Sequence, residues 1–470
     1  MYRCSGVVGI FASLILLTFI ALLPACGGGS SPPPPPPPPP KFEFVTLSTD
    51  TLTNPDGQHA TELETSAFSF GSTIVVSFEV ARGNMHPGGA DIGFATSTDA
   101  GTTWSSAFLS GLTSVMGGTN FATGNASVAY DAKHQIWLIE TIVIPTQGSG
   151  SIVVVRSSDG LTWDPNPVLV DNQTHPDKPW IACDNASTSP FFGHCYIQWD
   201  TVNVGTLRFS TSIDGGLTWS APVSPTGSAV GGNGQVHVQP NGNVVVPMGT
   251  TSAANFLTGP FDISSVVSTD GGATWNAPVT ISSAPPAHNV FDFRTGASSS
   301  GIDGAGNVYV VWPDCSFRPG CPSNDLVFSK SSDGINWTTP ARIPIDPVTS
   351  TVDHFTPGVA VDINTSGSTA HLLVTYYSYT DANCTDATCQ LNLGFFTSGD
   401  GGTTWNRAQM LAGPMSLSWV PETSLGRDVG DYTSSCYVNG KGFGFFPIAH
   451  ANNGTLLDQA IYTTAAPLFQ

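Results

Sequence analysis

Apolar positions along residues 41–470 fall in short extended stretches bounded by Gly, Ser, Asn and Asp, the pattern of β-strands separated by tight turns. Stretches such as 152–156 (IVVVR), 207–210 (LRFS), 326–329 (LVFS) and 391–397 (LNLGFFT) each stand just before a polar turn. Upstream of each lies a hairpin, as in 126–130 with 136–144 or 300–303 with 308–312, and another extended stretch follows the turn. The unit predicted is a four-stranded antiparallel sheet. Ahead of these units, Arg3 precedes an unbroken low-polarity run over residues 7–23.

The polar turns are copies of one pattern. STDAGTTW at 97–104, SIDGGLTW at 212–219, STDGGATW at 268–275 and SGDGGTTW at 398–405 are joined by the shorter SSDGLTW at 157–163 and SSDGINW at 331–337. In such a turn Asp accepts hydrogen bonds from backbone N–H groups, Gly supplies positive φ, and Ser and Thr hydroxyls satisfy what remains. Each Trp is then free to pack. The six copies resemble the Asp box, or BNR repeat, of sialidase-like β-propellers. That resemblance implies an all-β propeller, with the box as a structural turn far from the active centre.

Box aspartates at 99, 159, 214, 270, 333 and 400 are spaced by 60, 55, 56, 63 and 67 residues, and residues 41–470 hold about seven such units. The spacing predicts a seven-bladed propeller, with six blades as the alternative because catalytic sialidase domains of this superfamily have six. After the sixth box, 432–438, 442–448 and 457–463 supply three strands, and 42–47 at the other end of the chain is the predicted fourth. Closure of this kind removes open sheet edges.

The front of the chain reads as an export signal over residues 1–25, and Leu23-Pro24-Ala25-Cys26 resembles a bacterial lipobox with Cys26 as the lipidated residue. Residues 26–40 form a spacer: a Gly/Ser segment, then Pro32 to Pro40, a polyproline II rod of about 28 Å at about 3.1 Å per residue. The expectation is a protein exported and lipid-anchored to the cell envelope, at the outer membrane or cell surface, that meets the membrane only through its anchor.

Charged residues make up 10% of the chain, and the formal charge of −20 with only 14 Lys and Arg argues against nucleic acid as a partner. No cofactor is expected. Acidic loops leave a structural calcium open, although no EF-hand spacing is present and no metal ligands can be assigned. An oxidising compartment suits three local disulfides, Cys183 with Cys195, Cys315 with Cys321 and Cys384 with Cys389, which leaves Cys436 unpaired.

If the boxes join third and fourth strands, the opposite face carries the remaining connections and the candidate chemistry. Arg82, Arg294, Arg318 and Arg427 fall there, as a converging cluster for a carboxylate, sulfate or uronate or as separate ion pairs with acids such as Asp292 and Asp428. Asp177-Lys178-Pro179-Trp180 and Gly430-Asp431-Tyr432 stand at the starts of predicted innermost strands and resemble segments of exported Asp-box proteins. Asp177 and Lys178 join the substrate-binding candidates. The sialidase resemblance implies Tyr432 as nucleophile, Glu422 as the acid that activates it and Asp431 as acid/base. The family's early F/Y-R-I-P motif is absent, and the lone R-I-P, Arg342-Ile343-Pro344, follows the fifth box. The expected function is a cell-surface propeller engaging glycans, an exo-glycosidase on sialylated or other acidic sugars if catalytic. Alternatives are a non-catalytic binder of protein or polymer and, third, a polysaccharide lyase using His86, His175, His288 or His354.

Overall fold

The computed structural model describes residues 42–470 apart from 56, 84–87, 228, 256–258, 297, 453 and 455. The expected leader, Cys26, the proline spacer and His86 lie outside the described residues.

The chain folds as an all-β propeller of antiparallel meanders. Glu62–Phe70, Thr73–Arg82, Gly89–Ser97 and Ser105–Phe108 form the first meander, and Ala122–Asp131, Ile136–Ile144, Ser151–Ser157 and Val168–Asp171 form the second. Among the described residues five further blade sheets follow, led from the axis by Pro176–Cys183, by Val230–Gly232 with His237–Val238, by Ser299–Ile302, by Asp353–Val361 and by Ser434–Val438, and Glu422–Thr423 pairs with Gly426–Arg427 as a separate two-stranded ribbon. The outermost strand of the last sheet is Phe44–Thr46, paired with Gln459–Thr464. The closing strand expected at 42–47 is therefore in place.

The blade count needs correction. Five blades stand as separate sheets, where the spacing predicts seven or six, and the first two meanders are hydrogen-bonded into one eight-stranded sheet through Gly89 and Thr123. The cause is a close approach: Gly88 and Gly89 let the third strand of one meander come against the first strand of the next. A Cβ on Gly88 would stand 2.5 Å from the Thr123 carbonyl oxygen. Box spacing records the repeat but carries no sign of this join.

All six boxes connect a third strand to the stretch that follows it. In the first, the Ser97 hydroxyl donates to Asp99 (2.8 Å) and accepts from the Gly101 N–H (2.9 Å), while Asp99 accepts from the Thr103 N–H (2.8 Å) and hydroxyl (2.6 Å). The same serine-to-glycine bond recurs at Gly160, Gly216, Gly272, Gly334 and Gly402, all with positive φ. Each of these glycines abuts the preceding sheet: Gly272 lies against Tyr196, Gly334 against Val245 and Gly402 against Phe328. The box tryptophans pack as expected, Trp275 stacking on Phe209 at 3.9 Å. The core is correspondingly a set of clusters between neighbouring sheets. One of them joins Ile74, Val76 and Phe78 to Phe443, Phe445 and Ile461 and so closes last sheet against first.

Disulfides Cys183–Cys195, Cys315–Cys321 and Cys384–Cys389 are formed, the latter two in connections between second and third strands. Cys436 is free and buried, and burial pushes its thiol up to about 12. No helix among the described residues is long and apolar enough to cross a membrane.

Candidate functional site

Four innermost strands share an irregularity. Their register slips between Leu63 and Ser66, Gly124 and Ser127, Asp177 and Trp180, and Phe355 and Gly358. Inside each bulge a residue other than glycine takes a left-handed conformation: Glu64 (φ 55°), Asn125 (53°), Lys178 (48°) and Thr356 (44°). Asn233, between Gly232 and His237, adopts the same backbone (57°). Such backbone is costly for a side chain bearing Cβ and persists only where surrounding contacts enforce it. Here it re-aims polar side chains at the axial end of successive sheets.

Arg82, Arg294 and Lys178 converge there on four carboxyl groups. Arg82 donates to Glu79 (3.1 Å) and is ion-paired with Asp428 (3.3 Å); Arg294 meets Asp428 (3.4 Å), Glu64 (3.9 Å) and Asp431; Lys178 meets Asp431. Asn125 donates to Glu64 (3.0 Å). Burial raises the Glu64 carboxyl, reinforced by Glu79 and Asp431, and burial likewise raises Glu79. Burial alone would also raise Asp431, but Arg294 and Lys178 outweigh it and hold that carboxyl below the usual range. A shallow notch of about 10 Å³, room for about one water, lies beside Lys178, Trp180, Asn233, Gln235, Asp431 and Tyr432.

Of the four arginines singled out from the sequence, Arg82 and Arg294 meet in this cluster. Arg427 does not join them. Its N–H donates to the Asp292 carbonyl (3.0 Å) and its carbonyl accepts from the Arg294 N–H (2.9 Å), and its guanidinium lies 3.6 Å from exposed Glu422 and 3.8 Å from Asp292. Arg318 belongs to a separate buried network. It bonds Asp325 (2.6 Å) and Asp346 (2.7 Å), which Arg342 also holds at 2.6 and 2.9 Å. Ligand-capable atoms of Asp325, Asp346 and His354 lie within 4.8 Å of one another, the one trio among the described residues spaced for a cation, but two guanidiniums already match its carboxylates.

Tyr432 is buried, its hydroxyl donating to the Ala126 carbonyl (3.3 Å) and its ring edge-on to Trp180 at 5.4 Å. Burial and then the nearby Glu64 raise its phenol well above its ordinary value, so it is neutral. Glu422 faces Arg427 rather than the Tyr432 hydroxyl; the acids near Tyr432 are Glu64, Glu140, Asp431 and Glu79. Asp177 faces Asp200 across its hairpin and accepts from the Lys178 N–H (3.1 Å). Among the histidines, His288 meets buried Asp353 at 2.8 Å, His175 meets Ser149 at 2.5 Å, and His354 meets the Asn324 carbonyl at 3.0 Å.

Glu64, Glu79 and Asn125 were not singled out by sequence reasoning. A signal existed for the glutamates. The chain has only six, and Glu62, Glu64, Glu79 and Glu140 sit in or beside otherwise apolar strands, where an ionisable group requires a partner or a proton.

No family model matches the chain, and no curated protein matches it. Among solved structures, an ulvan lyase of family PL25 aligns over 90% of this chain and 96% of its own, at 12% identity and TM-score 0.50. An α-L-arabinanase of Penicillium chrysogenum aligns over 91% and 98% at 12% identity (TM-score 0.46). A NanB sialidase mutant of Streptococcus pneumoniae aligns over 91% and 70% at 12% identity (TM-score 0.43). The class defined by this likeness is the β-propeller fold, and at such identity it extends to fold alone.

Proposed function

We propose that this chain is a glycan-engaging propeller of the Asp-box type whose site is the axial cluster, with acidic sugars as its ligands. The observation that carries this is the meeting of Arg82, Arg294 and Lys178 beside a notch bordered by Trp180 and Tyr432. Guanidinium and ammonium groups suit a carboxylate, and Lys178 and Asp431 border the notch where one could approach. Propellers described as a sialidase, an arabinanase and an ulvan lyase make a glycan ligand a natural first test. The leader, spacer and Cys26 extend the proposal to a lipid-anchored envelope protein, which the mass of the mature N-terminus checks.

Binding is favoured over hydrolysis by one specific feature. The Tyr432 hydroxyl is tied to the Ala126 carbonyl and Asp431 is held by Lys178 and Arg294, so neither side chain is free to serve as nucleophile or acid/base. The experiment is a screen of purified protein against sialylated, uronate-containing and neutral glycans, with binding and product release measured together. Acidic glycans bind without product, and Arg294→Ala weakens that binding at least tenfold. Reducing sugar released from a sialylated glycan would make the chain a hydrolase, unsaturated product would make it a lyase, and no binding would end the glycan proposal.

A further inference from the structure

Every cation of the axial cluster already has a carboxylate partner, but the two aspartates that supply most of the pairing are placed differently. Asp428 is fully buried and bridges Arg82 and Arg294 at 3.3 and 3.4 Å. Asp431 borders the notch, and a single oxygen of it, Oδ2, meets both Lys178 Nζ and Arg294 Nη2. Among the described residues Lys178 pairs with no other carboxylate. The backbone carrying Asp431 is closely packed: a Cβ on Gly296 would stand 1.9 Å from the Asp431 carbonyl oxygen, and one on Gly430 would stand 2.6 Å from the Glu64 nitrogen. With the main chain held there, exchange at this position is a matter of the Asp431 side chain alone turning away from the two cations.

We propose that Asp431 is an internal counter-ion occupying the position of a ligand carboxylate, so that an acidic monosaccharide unit binds by exchanging its carboxylate for that of Asp431 at Lys178 and Arg294. The inference rests on the proposed glycan site and names its ligand class as sugars bearing one carboxylate. The exchange explains how a cation pair that needs a partner when empty can still take a ligand: one anion replaces another, and the buried positive charges are never left alone. It also sets a selectivity, because a neutral sugar cannot displace Asp431.

The test compares wild-type protein with Asp431→Asn, titrated calorimetrically with glucuronate and, as the neutral control, glucose. The amide keeps the volume and removes the competing charge. The expected result is at least tenfold tighter glucuronate binding by Asp431→Asn, unchanged indifference to glucose, and loss of the gain when Lys178→Met is added. A folded Asp431→Asn that binds glucuronate no better than wild type overturns the exchange. Should wild type bind acidic glycans and lose them with Arg294→Ala while Asp431→Asn gains nothing, the site stands and only the exchange falls. If neither protein binds any acidic sugar, both fall. A measurement on unmodified protein avoids dependence on the variant's folding: carbodiimide-directed labelling of Asp431 rises when glucuronate saturates the site, and labelling that is unchanged or reduced overturns the proposal.

Discussion

At the residue scale, the molecule tolerates ionisable groups deep in strands by controlling their protons. Glu62 is the clearest case outside the axial cluster, buried with one carboxyl oxygen lacking a protein partner. Burial, with Asp50 as the next contributor, pushes it from its ordinary 4.5 up to about 8. Between those values the folded state holds a proton that the unfolded chain gives up, so this group's contribution is fully present below pH 4.5 and is lost as pH rises through 8. Asp91, pushed up to about 7 chiefly by burial, adds a slope of the same sign. Glu62→Gln is expected to flatten the decline in melting temperature between pH 5 and 8, which a thermal-melting series over that range checks; an unchanged slope would remove Glu62 from the account. The candidate site was legible at this scale only in part. Arg82 and Arg294 were visible as cations on the right connections, but nothing local in sequence distinguished them from Arg318, whose charge Asp325 and Asp346 neutralise away from the axis. Convergence of side chains from different sheets is a tertiary fact that spacing along the chain does not encode.

At the scale of elements, the box is a lock between neighbours as well as a turn. Gly272 shows both demands: its φ is +85°, and a Cβ would stand 2.3 Å from the Thr211 hydroxyl and 3.0 Å from the Tyr196 ring. Gly117 has nearly the same φ, +86°, with nothing within 4 Å. Gly117→Ala is expected to cost about 1 kcal/mol, the conformational penalty alone. Gly272→Ala adds overpacking and is expected to cost about 3 kcal/mol in total. Urea denaturation of the two variants measures the difference, and equal losses would mean that the box does not brace the adjoining sheet. Strands, hairpins and boxes were legible because their periodicity and turn residues are local. The join between the first two meanders was not, because it depends on Gly88 and Gly89 meeting Thr123 across a long connection.

At the scale of the whole molecule, closure rests on three residues from the start of the described chain. Phe44–Thr46 covers the edge of Gln459–Thr464, and Phe44 packs edge-on to Phe446 and Tyr462 at 6.3 and 6.2 Å. Removing residues up to 47 exposes that edge and its apolar neighbours. The truncated protein is expected to denature at a lower urea concentration and to self-associate, and a peptide of residues 42–48 is expected to restore the monomer. Light scattering coupled to size exclusion reads the outcome, and a monodisperse, equally stable truncation would show the strand to be dispensable. The pairing of Phe44 with Thr464 also sets an order for folding: partners about 420 residues apart along the chain must find each other, so the seam belongs with the slow, long-range contacts of the ring. Everything between them is a loop that this one strand pair ties off.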